Sequence, residues 1–226
     1  MTKSKKQAKT KKHNLKKLAL AVGVVAIIAG SVPVIKRVVN PGELVTEIID
    51  GDSFKIKNKQ TIRLSSLDAP ALQYCMGKEA KVALEKKILN KKVILRDVKT
   101  DVFRRIMALV YVDGILVNEY LIKNGLAVTT REGADETENI KSANDFAREN
   151  LLGIYSPKCY QKDPPDPKCP IKGNIDDRTK KKEYLVPSCR HYSKAIIEKN
   201  MGETWFCSEK EAKSAGFSPS SDCFRE

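Results

Sequence analysis

Ile48-Ile49-Asp50-Gly51-Asp52-Ser53-Phe54-Lys55-Ile56, a turn at Lys57-Asn58-Lys59, and Ile62-Arg63-Leu64-Ser65-Ser66-Leu67-Asp68-Ala69-Pro70-Ala71 make up the stretch around which the chain is arranged. Asp50-Gly51-Asp52 lies between two short apolar runs, which marks a turn or bulge between strands. Phe54 and Ile56 alternate with Lys55 and Lys57 in the period of a strand. On the same period Ile62, Leu64 and Ser66 share one face, and Arg63, Ser65 and Leu67 share the other. Pro70 stops the second strand and biases Ala69 towards an extended conformation. Asp52 and Asp68 therefore fall at the ends of adjacent strands, with Arg63 nearby. Oxygen ligands at strand ends suit a hard cation such as Ca²⁺. An arginine beside them suits a phosphate. A plain hairpin turn and a plain loop acid would also explain these residues, and the stretch alone leaves both readings open.

Working outward, Leu44 to Ile49 reads as the first strand. Lys78 to Asn90 carries Ala80, Ala83, Leu84 and Ile88 near helical spacing. Val93 to about Lys99 and Ile106 to Val112 read as strands separated by a charged turn at 101–105, and Asp113-Gly114 as a hairpin turn. Val117 to Asn124 reads as a short helix closed by Gly125. Leu126 to Val128 is a last short strand, and Glu138 to Asn150 a last helix. Three strands, helix, two strands, helix, strand, helix fits a small barrel with helices packed on it better than an alternating α/β sheet.

The 226 residues carry a formal net charge of +14, which points to polyanionic partners, nucleic acid or anionic lipid. Residues 1–17 hold eight Lys and no acid, so over half of the excess lies in a tail whose composition predicts disorder. Leu18 to Ile35 is an uncharged apolar run, apolar on every face, followed by Lys36-Arg37. It predicts a transmembrane signal-anchor over 18–35 with the basic end in the cytoplasm and the folded part outside. A signal peptide cleaved near Ser31, after Ala29-Gly30, is the alternative, giving a secreted form. The tail's lysines then read as an orientation signal and a lipid-headgroup contact. Residues 36–43 are a linker containing Asn40-Pro41-Gly42.

Several motifs in order resemble one family. They are Ile49-Asp50-Gly51-Asp52-Ser53, Ile62-Arg63-Leu64, Leu67-Asp68-Ala69-Pro70, Gly77-Lys78-Glu79-Ala80, Arg105 with Ala108-Leu109-Val110-Tyr111-Val112-Asp113-Gly114, and Val117-Asn118-Glu119 leading to Asn124-Gly125-Leu126-Ala127. Over about residues 44–159, within a domain set at 44–160, the chain resembles the staphylococcal-nuclease-like (thermonuclease) domain. The resemblance implies a five-stranded OB-fold barrel with three helices, and Ca²⁺-dependent hydrolysis of phosphodiester bonds in DNA or RNA. Asp52 and Asp68 match the metal-binding carboxylates. Ala69 matches a residue that ligates through its backbone carbonyl. Asp50 matches an acid behind the ligands. Arg63 and Arg105 match the phosphate-binding, catalytic arginines. Ala71 departs from the pattern, because the family has there a Glu that positions or deprotonates the attacking water. Losing a general base typically costs ~10²–10⁴ in rate. Glu79 is the nearest acid downstream, and the first turn of a helix accounts for it. Phe103, in the turn before Arg105, is a candidate for stacking on a base. Tyr111 reads as core.

The six Cys are even in number, which fits disulfides outside the cytoplasm. Other members of the resembled family carry Cys at the positions of Cys75 and Cys159, which implies that these two pair. Residues 161–168, with Pro164-Pro165-Asp166-Pro167, read as a stiff linker. Residues 169–226 read as a separate module, about forty residues of which resemble the small zinc-binding domain of Ada-type DNA-repair proteins. Cys189 and Cys223 match two of its four ligands, while Leu185 and Ser220 stand at the other two. That resemblance implies that Cys189 and Cys223 lie close enough to bond, and leaves Cys169 and Cys207 as the third pair. A Zn²⁺ held by Cys169, Cys189, Cys207 and Cys223 is the alternative, although the Cys-x₂-Cys spacing of zinc sites is absent. Ser208 to Glu211 reads as a capping box and Gly216 as the end of a short helix. His191 reads as a surface residue.

Two functions follow. One is a membrane-tethered, extracytoplasmic nuclease acting on nucleic acid, with no protein partner expected. The other is a nucleic-acid-binding protein on a nuclease scaffold whose catalysis was lost with Ala71. A plain envelope scaffold has no need of the paired acids and arginines.

Overall fold

A computed structural model of the chain describes residues 42–130 and 137–223. The apolar run at 18–35 and the basic tail lie outside the described residues, among which no helix is long and apolar enough to cross a membrane.

The first half runs β1 (Glu43–Ile48), β2 (Ser53–Ile56), β3 (Thr61–Leu64), β4 (Leu67–Asp68), α1 (Gly77–Ile88), β5 (Lys92–Thr100), β6 (Ile106–Val112), β7 (Ile115–Leu116), α2 (Val117–Lys123), β8 (Val128–Thr129) and α3 (Thr137–Glu149). Strands pair in the order β3-β2-β1-β5-β6, and β6 returns to β3 in parallel with Met107 opposite Arg63. Five strands thus close a ring, and closure removes the edges that an open sheet exposes. This closed barrel with helices fits the OB-fold expected from the sequence.

Alternation explains the filling. Phe54 and Ile56 from β2, and Ile62 and Leu64 from β3, all point inward and are buried. Helix α1 closes one side with Ala80, Leu84 and Ile88, spaced by one turn and fully buried. Burying an aliphatic or aromatic side chain of this size is worth about 1.5–3 kcal/mol, so the barrel stands on this cluster. Asn90, at a positive φ of 60°, turns the chain off α1 and into β5.

One expectation fails at the end of β3. Strand period puts Leu67 on the face of Arg63 and Ser65, away from Leu64. Instead β3 stops at Leu64, and Ser66 takes the left-handed conformation (φ 62°). That turn resets the alternation, and Leu67 is fully buried in the barrel core.

The second half adds β9 (Tyr160–Gln161), β10 (Ile171–Ile175), β11 (Lys182–Leu185), β12 (Ile197–Glu198), β13 (Thr204–Phe206), α4 (Glu209–Ser214) and β14 (Ser218–Pro219). Four of these strands form a sheet in the order β13-β10-β11-β14. Its core is small: Ile171, Tyr184, Phe206, Ala212 and Phe217. Phe206 and Phe217 meet edge to face at 5.1 Å, over Gly173, where a Cβ would lie 2.5 Å from the Phe206 ring. Ser208 caps α4 by accepting from Glu211 N, and Glu211 reaches back to Cys207 N (2.9 Å).

Three disulfides are present, Cys75–Cys159, Cys169–Cys207 and Cys189–Cys223, the same three pairs read from the sequence. The alternative zinc site fails on this ground: all four Cys of the second half are bonded in pairs, and none is left as a thiolate to bind metal. The two halves also touch directly. Lys199 O accepts from Cys75 N (3.3 Å), and Lys199 N donates to Cys159 O (2.8 Å). Within the second half β12 pairs with β9, and Trp205 Nε1 donates to Gln161 Oε1 (3.0 Å). The Tyr74 ring lies on Gly202, where a Cβ would come within 2.6 Å of it.

Candidate active site

The turn Asp50-Gly51-Asp52 is held by its own backbone. Ser53 O accepts from Ile49 N and Asp50 N, Asp50 Oδ1 accepts from Asp52 N (3.1 Å), and Asp52 O accepts from Leu64 N (2.8 Å). Gly51 is required by space. A Cβ there would lie 2.7 Å from the Cβ atoms of both Ala69 and Ala80. Without one, the turn nests between α1 and the loop after β4, and Asp52 reaches that loop.

Asp52 is 2% exposed, and every contact of its carboxylate serves the site. Oδ2 accepts from Ala69 N (3.0 Å), and Oδ1 accepts from Ser53 Oγ (2.7 Å) and from Arg63 Nη1. Arg63 Nη2 donates to Asp68 Oδ1. One guanidinium therefore bridges two carboxylates, one from the turn before β2 and one from β4. Burial pushes the Asp52 carboxyl up to about 6, against the attraction of Arg63. Burial also acts to lower the pKa of Arg63, but Asp52 and Asp68 outweigh it and hold the guanidinium charged.

Asp68 is placed by a second device. After β3 the chain crosses Ser65-Ser66, and β4 then pairs with β8. Asn118, fully buried on α2, fixes this crossing: its Oδ1 accepts from Val110 N (2.9 Å), and its Nδ2 donates to Ser65 O (2.8 Å). Sequence reasoning gave Asn118 no role beyond motif membership. Its signal was available: an amide between Val117 and Leu121, both helix residues bound for the core.

The second arginine stands apart from this cluster. Arg105 Nε donates to Asp101 Oδ2 (2.6 Å), Arg105 N donates to Asp101 Oδ1 (2.8 Å), and its guanidinium lies 5.3 Å from the Phe103 ring centroid. Desolvation acts upward on Asp101, but donation from Arg105 outweighs it and holds that carboxyl below its ordinary value. Arg105, Phe103, Asp101 and Ser65 line a cavity of about 380 Å³ beside the barrel. Phe103 is 75% exposed, as a stacking residue would need to be.

Ala71 lies on the surface of the loop after Pro70, and its carbonyl accepts from Tyr74 N (2.8 Å). With Asp68, Ala69 and Pro70 it lines a cavity of about 370 Å³ in which Asp68 is the sole carboxylate among the described residues. Glu79 does not line this cavity; it lines a neighbouring one, with its exposed carboxylate 3.4 Å from the Lys158 ammonium. Tyr111 is half-buried and packs against the barrel core, with the Arg96 guanidinium 5.0 Å from its ring centroid. His191 lies at the surface, as read, paired with Asp222 through Nδ1 (2.7 Å).

The donors at the cluster suit a hard cation: two carboxylates that converge on one positive group, and a backbone segment at Ala69 beside them. Among the described residues no group of three or more His, Cys, Asp or Glu side chains could hold a metal. Any ion here would therefore draw on the two acids, backbone carbonyl and water.

Residues 61–157 match the family model described as Staphylococcal nuclease homologue; the match begins beyond Asp52 and ends before the second half of the chain. An uncharacterized protein of Bacillus anthracis is 32% identical over 131 residues, or 51% of this chain and 61% of that protein. Two probable staphylococcal-like nucleases of Oryza sativa subsp. japonica are 34% and 36% identical over 76 and 72 residues, covering 34% and 32% of this chain. The chain thus spans 61% of the first relative and 21–22% of the rice proteins. The segment that carries Arg63, Asp68, Ala71 and Arg105 is similar to a staphylococcal nuclease domain, and its closed barrel fits that fold.

Proposed function

We propose that the chain hydrolyses phosphodiester bonds in DNA or RNA at the Asp52–Arg63–Asp68 cluster, with Ca²⁺ as cofactor. The observation that carries this reading is the bridge itself. Two acids, one from the turn before β2 and one from β4, share one arginine, and one of them, Asp68, lines a cavity. Asp52 and Asp68, with the carbonyl of Ala69, would hold the cation. When bound, the ion supplies charge neutralisation and a polarised water. Arg63 presents a planar fork that matches a phosphate as well as it matches carboxylates. Arg105, kept in shape by Asp101, offers a second guanidinium to charge that develops on phosphoryl oxygens. Phe103 and Arg105 together form a rim for a base and its phosphate.

Ala71 supports the second reading, a nucleic-acid binder with weakened or lost catalysis. A methyl group takes no proton, and no other carboxylate than Asp68 lines its cavity among the described residues. A supercoiled plasmid assay with Ca²⁺ or chelator separates the two. The nuclease reading expects slow Ca²⁺-dependent nicking, raised by Ala71→Glu. No cleavage above the chelated control in either protein, with nucleic acid still bound, gives the second reading.

The reading also sets the folded part outside the cytoplasm, tethered through residues 18–35. Its supports are that apolar sequence and the oxidation of all six Cys. Protease added to intact cells should remove the folded part. Protection of that part, with no secreted form, would refute the topology.

A further inference from the structure

The cavity at Ala71 has two walls from different halves of the chain. One is the site loop, Asp68 to Ala71. The other belongs to the second half and includes Lys180 and Lys182. This cavity shares Asp68, Val128, Ile175, Asn200 and Met201 with a second one of about 690 Å³, which extends to Arg148 of α3 and Arg178. The two form one cleft, and Asp68 sits at their junction. Resting on the nuclease reading above, we propose that the hairpin joining β10 to β11 is the second wall of the substrate groove. In it Arg178, Lys180 and Lys182 hold the phosphates of a single nucleic-acid strand as it passes the cluster.

The hairpin is built to present these cations. Asp176 Oδ1 accepts from Arg178 N (3.1 Å), Thr179 N (2.7 Å) and Thr179 Oγ1 (2.7 Å), and its backbone bonds to Lys180 N and Lys181 O. Lys180 takes the left-handed conformation that closes the turn (φ 56°). Arg178, Lys180 and Lys182 are all exposed. The cleft also carries acids. Asp177 pairs with Lys180 at 3.1 Å, and Glu198 lies deeper, its carboxyl pushed up by burial. An exposed ion pair of that kind is worth about 0–1 kcal/mol, so a phosphate can take the place of Asp177. Tyr74, on the Ala71 side, adds a ring beside the same cleft, and cations combined with an aromatic face are the means of holding a single strand. The disulfides of the second half and the β9–β12 pairing hold this wall in place.

The test is fluorescence anisotropy of the full-length chain, in detergent and chelator, with a labelled single-stranded oligonucleotide across a salt series. Lys180→Ala/Lys182→Ala is compared with Lys210→Ala/Lys213→Ala, which removes the same charge from α4, outside the cleft. Near-UV circular dichroism checks that each variant is folded. We expect the cleft variant to weaken binding about tenfold, with a log–log salt dependence shallower by about 1.4, at ~0.7 per phosphate contact on a single strand. The α4 variant should keep the wild-type slope. Equal losses in both variants, or none in the cleft variant, overturn the proposal while leaving the nuclease reading intact. A wild-type chain that binds no strand fails both readings.

Discussion

The two halves of this molecule are stabilised by different means. The barrel has a continuous apolar cluster from Val45 to Ala143, whereas the main core cluster of the second half has only five buried residues, backed by two disulfides. Its interior is also polar. Lys172 is 1% exposed, donates to Tyr192 O (2.9 Å) and Ala195 O, and lies over the Tyr192 ring at 4.4 Å. Glu203 accepts from Ile175 N (2.8 Å), Glu198 N (2.7 Å) and Asn174 Nδ2 (3.1 Å). A small module cannot bury enough apolar surface to offset its chain entropy, so covalent links take over part of that task. The difference teaches where each half will fail.

The largest expected effect is reduction of the second half. Its bridges span 38 and 34 residues in sequence. By the chain-entropy argument each is worth about 3–4 kcal/mol. Cys169→Ser/Cys207→Ser combined with Cys189→Ser/Cys223→Ser should unfold residues 169–223 and leave the barrel folded. Hydrogen exchange resolved by segment reads this directly. Loss of protection in both halves together would show one cooperative unit instead.

A smaller break should come from the barrel at Asn118. Asn118→Leu leaves Ser65 O and Val110 N without their partner. Unsatisfied buried groups cost about 1–3 kcal/mol each. The midpoint of denaturation should fall by that order, and Asp68 should lose its fixed place. An unchanged midpoint would remove Asn118 from the account.

The smallest effect is the pH dependence that Glu203 contributes to the second half. Burial holds the Glu203 carboxyl above its ordinary value. The folded state then binds this proton more tightly than the unfolded chain does. Its contribution is most favourable below the ordinary carboxylate pKa and declines as pH rises through the folded value. The stability of Glu203→Gln relative to wild type should therefore improve as pH rises across that window. A constant difference across the window would mean that Glu203 titrates alike in both states.

Much of the barrel was legible because it obeys one rule over long segments. Phe54, Ile62, Leu64, Leu84 and Ile88 fall on core faces by period alone. Leu67 did not, because a single left-handed residue, Ser66, resets the phase, and Ser carries no sequence mark of that conformation. At the site, Asp52 and Asp68 were legible as acids at strand ends. The shared Arg63 bridge was not, since it depends on how the 50–52 turn and β4 meet in space. The wall at Lys180 and Lys182 was wholly hidden: more than a hundred residues of chain separate it from Asp68.

The central claim is that Arg63 holds the place between two carboxylates that a cation and a phosphate would divide between them. Calcium titration by calorimetry, paired with plasmid cleavage, tests it on Arg63→Ala and Asp68→Ala. In Arg63→Ala the carboxylates no longer share a guanidinium. Ca²⁺ should bind as tightly as in wild type or more so, while cleavage falls by ~10²–10³, as expected when a donor to a developing oxyanion is removed. Asp68→Ala should lose both. Weaker Ca²⁺ binding in Arg63→Ala, or cleavage that survives there undiminished, would contradict the account.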